Sequence, residues 1–189
     1  MRREAAEALA ALDRRAFLRL LAAAAASGLA PAGCGGAPEA YRPPPGLVLR
    51  HLSPRGYAVL RAAAERLVGG RGGELLRAGA VDPAPAVEEL LASSPELAGP
   101  LGRALLVLEL GLPPLIFKLR PFSALAAPER DRVLRELASS PWALQRALFR
   151  GVRSVALLGF YGSAACQPVS RYPGLAGSGP ADALRPLDA

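Results

Sequence analysis

Five prolines set the frame of this chain. Pro54, Pro85, Pro95, Pro128 and Pro141 each stand at the head of a stretch in which apolar residues recur at three- and four-residue spacing. At the first turn of a helix a proline gives up a hydrogen bond that the helix could not have made, whereas further inside it breaks one. Proline ahead of a 3.6-residue period therefore reads as a helix start. Ser53-Pro54 opens the first such segment, with Ser53 poised to accept from an orphan amide. Tyr57, Leu60, Ala64, Leu67 and Val68 share its inner side, and Gly69-Gly70 stop it. Arg71 to Pro85, with its glycines and prolines, predicts a loop. Pro85 to Ala92 predicts a short helix through Val87, Leu90 and Leu91, and another runs from Pro95 or Leu97 to about Gly111. Pro128, with Glu129 and Asp131 near the positive end of the helix dipole, begins a helix whose inner face is Val133, Leu134 and Leu137. Ser139-Ser140-Pro141 restart the chain into the longest helix, to about Phe160, faced by Leu144, Leu148, Val152, Val155 and Leu158 or Gly159. Gly162 and Pro168 end it. No stretch alternates with period two for long enough to form a sheet. The expected fold class is all-α, an irregular or orthogonal helical bundle.

Ahead of these helices the chain changes character. Asp13-Arg14-Arg15-Ala16-Phe17-Leu18-Arg19 leads into an apolar run from Leu20. Arg14 and Arg15, followed by Phe17 and Leu18, read as a twin-arginine export signal, an address carried by proteins already folded in the cytoplasm. Leu20 to Ala32 is mostly alanine and is interrupted by Ser27, Gly28 and Pro31. It falls short of the roughly 20 apolar residues that span a bilayer. Arg2-Arg3 is a second arginine pair, but no Phe-Leu and apolar run follow it directly. Two processing outcomes fit. Ala30-Pro31-Ala32 is a small-x-small site that would leave Gly33 as the new N-terminus, while Ala32-Gly33-Cys34 resembles a lipoprotein site that would place lipid on Cys34. Residues 1–33 are thus expected as the signal segment, 34–46 as a Pro/Gly-rich linker, 47–180 as the helical domain and 181–189 as a tail. Leu101 to Phe117 invites a second membrane reading. Arg103, Glu109 and the Pro113-Pro114 break make it a buried helix instead. The expected location is the periplasm or cell envelope, with the membrane reached only through a lipid anchor or a complex.

Without its signal the chain keeps 18 basic and 13 acidic residues, net +5, in one domain's length. That charge raises nucleic acid as a partner. Export and the lack of a basic strip interleaved with aromatics argue against it. Catalytic chemistry has little to work with. His51 is the only histidine and sits near the linker, reading as an exposed loop residue. No Cys-x-x-Cys-His or His-x-x-x-His occurs, so neither covalent haem nor a metal is expected. Gly69-Gly70-Arg71-Gly72-Gly73 lacks the spacing of a nucleotide loop. Glu88-Glu89, Glu129 and Asp131 read as helix-start and surface acids. Cys34 and Cys166 can pair if Cys34 is not lipidated; otherwise Cys166 is a lone buried thiol. The longest helix carries Arg146, Arg150 and Arg153 at i, i+4 and i+7. They form either a solvated face or a docking face, with Phe149, Phe160, Tyr161 and Tyr172 nearby as anchors or as core.

The C-terminal half has a further pattern: Phe122-Ser123-Ala124-Leu125, Pro128-Glu129-Arg130 and Val133-Leu134, then Leu144, Arg146, Phe149 and Arg150. Leu158-Gly159-Phe160-Tyr161-Gly162, Pro168 and Tyr172-Pro173-Gly174 follow. With the Leu52-Ser53-Pro54 opening and Leu60 to Leu67, this resembles the gluconate 2-dehydrogenase subunit 3 family over about residues 47 to 180. The resemblance implies a small, non-catalytic subunit that binds no cofactor itself. It implies a partner, an FAD-dependent dehydrogenase large subunit that oxidises a sugar, sugar acid or alcohol and passes electrons to a cytochrome c subunit. The small subunit would supply the export signal and assist maturation of the flavoprotein. The family has no catalytic residues to carry over; Arg146, Arg150, Arg153, Tyr161 and Tyr172 are the docking candidates. Two other classes are weighed beside it: a lipid-anchored helical envelope binding protein with the linker as stalk, and a small enzyme using Glu88 or Asp131.

Overall fold

Ser53 and Pro54 begin the first helix as their chemistry dictates. In the computed structural model, which describes residues 41–111 and 120–166, Ser53 Oγ accepts from the Gly56 amide at 3.0 Å. Helix α1 runs Pro54–Val68 and stops at Gly69, whose φ of +63° suits glycine. The chain is all-helical, with six helices and no strand among the described residues.

Where a loop was expected after Gly70, helix α2 forms over Gly70–Arg77. Glycine weakens a helix by about 1 kcal/mol per residue, so the sequence reads as a break. Packing reverses the balance. A Cβ on Gly73 would lie 2.5 Å from the Glu65 carbonyl oxygen, and one on Gly72 would strike Val68 and Phe160. The missing side chains let α2 lie against α1, and Leu76 is buried in the process. Tertiary burial, rather than propensity, holds such a short helix.

Helix α3 covers Ala84–Ser93, and the Asp82 carboxylate accepts from the Ala84 amide at 2.9 Å. A 3₁₀ turn at Pro95–Leu97 leads into α4, Ala98–Leu106, which widens into a π turn over Val107–Gly111. A further 3₁₀ turn, Phe122–Ala124, precedes α5, Ala127–Ser139. Glu129 reaches back to accept from the Ala126 amide at 3.0 Å, closing the first turn of α5. Helix α6, Ala143–Tyr161, is the longest among the described residues. The Pro113-Pro114 break lies outside the described residues. No described helix is long and apolar enough to cross a membrane.

Helix α1 occupies the centre. It touches each of the other five helices, α6 most extensively, and the Phe122 turn as well. Ala58, Ala62, Ala63 and Ala64 are fully buried around it, and such small side chains let neighbours approach closely. Helix α6 closes over the bundle, against α1, α3, α4 and α5. At its end a Cβ on Gly159 would meet the Pro83 Cβ and carbonyl oxygen at 2.7 Å. Glycine at this contact is a packing requirement.

Two glycine substitutions should move stability in opposite directions in urea denaturation. Gly159→Ala collides with Pro83 backbone and should destabilise by about 1–3 kcal/mol. Gly102→Ala lies within α4 and meets nothing within 4 Å. It should stabilise by about 0.5–1 kcal/mol. Equal effects would contradict this placement of α6 against Pro83.

Candidate functional site

Helix α6 carries the residues singled out from the sequence. Its buried side is Leu148, Val152, Val155, Ala156 and Phe160, in line with the predicted periodicity. The opposite side presents Arg146, Arg150, Arg153 and Tyr161, all exposed. At 3.6 residues per turn these four, with Leu157, fall within an arc of about 80°. Trp142, one helical turn before Arg146, is 71% exposed, and Tyr161 at the other end is 57% exposed. The two rings bracket about 28 Å of helix. No aspartate or glutamate occurs between Ala143 and Tyr161, so no acid on the helix neutralises this face.

The three arginines differ in what holds them. Arg146 donates to the carbonyls of Ser140 and Pro141 at 2.7 and 2.8 Å, which fastens the turn that begins α6. Arg150 and Arg153 stand outward. Phe160 belongs to the core and meets Tyr161 edge-on, with centroids 5.1 Å apart. Phe149 is partly buried.

Beside Arg153 lies an open groove of about 410 Å³ between the end of α1, α5 and α6. Leu67, Leu134 and Phe149 supply its apolar lining, and Arg135 and Arg153 flank it. Asp131 also borders it, bound by Arg66 through two hydrogen bonds of 2.7 Å each. This fork-to-fork pairing draws the Asp131 carboxyl below its ordinary value, chiefly through those hydrogen bonds. Asp131, read from the sequence as a surface acid, thus ties α1 to α5.

Sequence reasoning missed a cluster beneath α1. Glu65 is 3% exposed and accepts from Tyr41 Oη at 2.8 Å and Arg77 Nε at 2.9 Å. Arg130 Nη1 stands 3.6 Å from the same carboxylate and donates to Tyr41 Oη. Burial pushes the Glu65 carboxyl up, but the hydrogen bonds from Tyr41 and Arg77, with the charges of Arg130 and Arg77, outweigh it and hold it below its usual range. Tyr41 lies in the stretch expected as linker, yet it is buried among core residues. The signal in the sequence was Glu65 itself, a lone acid in line with Ala58 and Ala62 on an otherwise apolar helix face.

Other acids are likewise committed. Glu88 accepts from the amides of His51 and Leu52, and the His51 residue is exposed. Glu109, also 3% exposed, accepts from the Ser123 amide and hydroxyl at 2.9 and 2.7 Å. Burial raises its carboxyl above the usual range despite those bonds. Tyr57 donates to Asp82 at 2.8 Å; burial foremost, and then this bond, push its hydroxyl up to about 12. Cys166 is buried, and its thiol is free among the described residues. No group of three or more metal-ligating side chains occurs among the described residues. Arg14, Arg15, Phe17, Leu18, Cys34 and Tyr172 lie outside the described residues. Comparison with protein-family models, curated proteins and solved structures finds no match.

Glu65 generates a pH prediction. A carboxyl whose folded pKa is lowered stabilises fully above its ordinary value, near 4, and loses that contribution as pH falls through the lowered value. Glu109, with a raised pKa, works in the opposite sense: its contribution is present below the ordinary value and lost as pH rises through the raised one. Glu65→Gln leaves Arg130 buried without its counter-charge and should cost about 3 kcal/mol at pH 7. It should also flatten the acid-side loss of stability below about pH 4. Urea denaturation of both proteins from pH 7 to 3 measures this. Parallel curves, or an unaltered midpoint at pH 7, would remove Glu65 from its role.

Proposed function

We propose that this chain is the non-catalytic small subunit of an exported FAD-dependent dehydrogenase acting on a sugar, sugar acid or alcohol. It carries the twin-arginine signal for a flavoprotein lacking one and assists that subunit's maturation. Electrons leave the flavin through a cytochrome c subunit. The observation that carries the reading is the acid-free outer face of α6, with Arg150 and Arg153 standing outward between exposed Trp142 and Tyr161. Arginine, tryptophan and tyrosine are the side chains most enriched at the energetic centres of protein interfaces. A folded domain that presents such a face, behind an address read only on folded cargo, suits a protein exported together with a partner. The subunit 3-like motifs from Leu52 to Tyr172 name the class of that partner, and the flavin belongs to the partner.

A second reading draws on Ala32-Gly33-Cys34: a lipid-anchored helical binding protein of the envelope, with no flavoenzyme. A single acyl chain anchors only weakly, so this reading requires more than one chain on Cys34.

Co-expression with the flavoprotein separates the two. Arg14→Lys with Arg15→Lys should hold both proteins in the cytoplasm, as read by fractionation and by flavin in each fraction. Export of the flavoprotein by itself would overturn the carrier role. Arg150→Glu with Tyr161→Ala should weaken the complex at least ten-fold, about 1.4 kcal/mol. Arg150→Glu alone should leave the melting temperature within a degree or two, because exposed charges contribute little to folding, whereas Tyr161→Ala also loses the edge contact with Phe160. Unchanged affinity would return this face to solvent.

A further inference from the structure

The groove at the edge of the α6 face has its own chemistry. Its apolar lining, Leu67, Leu134 and Phe149, is drawn from three helices, so it exists only in the folded domain. Arg135 on α5 and Arg153 on α6 flank it, both exposed. Among the described residues the one acid bordering it, Asp131, is held by Arg66 at 2.7 Å through both carboxylate oxygens. The groove is therefore apolar within and positive at its edges.

From this arrangement the geometry points to a binding site for an acidic segment of a partner protein, in which one apolar anchor side chain is flanked by carboxylates. The anchor seats on Leu67 and Phe149, both partly exposed, while the carboxylates pair with Arg135 and Arg153. Two features favour a protein segment over an anionic membrane. The groove offers about 410 Å³ beside apolar side chains, space that one protruding side chain can occupy. Arginine's planar fork also matches a carboxylate in bidentate fashion, so position matters as well as charge. The partly exposed Leu67 and Phe149 beside such arginines form the kind of groove that receives the apolar face of an amphipathic helix. The inference rests on the small-subunit reading for the existence of a partner, and it adds the chemistry of one contact.

A defined probe tests it with no flavoprotein present. The probe is a fluorescein-labelled synthetic helix with a leucine-phenylalanine anchor and glutamates one turn to each side. It is titrated against the full exported chain by fluorescence polarisation. Matched peptides replace the anchor with serine or the glutamates with lysine, and phosphatidylglycerol vesicles serve as competitor. The anchored acidic peptide should bind. Replacing its anchor, or using Arg135→Glu with Arg153→Glu protein, should weaken binding at least ten-fold, whereas Arg135→Lys with Arg153→Lys should retain part of it. A thermal melt confirms that the variants fold. Absence of binding to the anchored peptide would overturn the site, and so would equal binding of the serine peptide or undiminished binding by the glutamate variant. Preferential binding to the vesicles would overturn it in favour of a lipid surface. Failure here leaves co-export with a flavoprotein untouched, and failure of co-export leaves the peptide preference standing.

Discussion

One buried carboxylate holds three segments of the chain to the central helix. Glu65 on α1 gathers Tyr41 from the chain ahead of the helices, Arg77 from α2 and Arg130 from α5. Its hydrogen bonds and ion pairs have directions that alanine-to-alanine packing lacks. Beside the fully buried Tyr57 and Leu60, helix α1 is lined by Ala58, Ala62, Ala63 and Ala64, small side chains that tolerate sliding against their neighbours better than interlocking large ones do. An acid in the midst of them makes one rotation strongly preferred, because any other leaves a charge buried and unpaired. Breaking such a pair costs about 3–5 kcal/mol, a large part of the 5–15 kcal/mol that typically separates folded from unfolded. Arg130 lies over the Tyr41 ring at 5.3 Å and adds a cation–π contact to the same joint.

The orientation of α1 in turn sets that of α6. These two helices share the most extensive contact in the fold, and Gly159 against Pro83 fixes how near the end of α6 approaches. With Leu148, Val152, Val155 and Phe160 turned inward, the geometry of a helix leaves Arg150, Arg153 and Tyr161 outward. Between α5 and α6 the fit is incomplete at the surface, and the groove beside Phe149 is what remains. Outer face and groove are thus consequences of one buried arrangement, so variants at Glu65 or Gly159 should be read first as folding variants and only then as binding ones.

Much of this was legible in the sequence, and for identifiable reasons. Ser53-Pro54, Glu129 and the spacing from Leu144 to Val155 report local chemistry, and local chemistry fixes where α1, α5 and α6 begin and which way they face. Helix α2 was not legible. Gly72 and Gly73 carry one meaning by propensity and the reverse by packing, and only the distance to Glu65 and Phe160 decides between them. Glu65 and Tyr41 are 24 positions apart and Arg66 and Asp131 are 65 apart, so no periodicity connects them. The arginine stripe was visible as a pattern. That Arg146 fastens a turn while Arg153 borders a groove was not, because both depend on the path of the chain at Ser140 and on the neighbouring α5.

In the proposed role, the outer face of α6 docks on a flavin-bearing partner. Purification of C-terminally tagged protein from its native host in mild detergent, followed by a visible spectrum and mass identification of co-eluting chains, tests this. Flavin absorbance with a dehydrogenase-sized companion at a stoichiometric ratio is the expected result. A colourless protein eluting alone at its mature mass would contradict the claim, and that mass would also report whether Cys34 carries lipid.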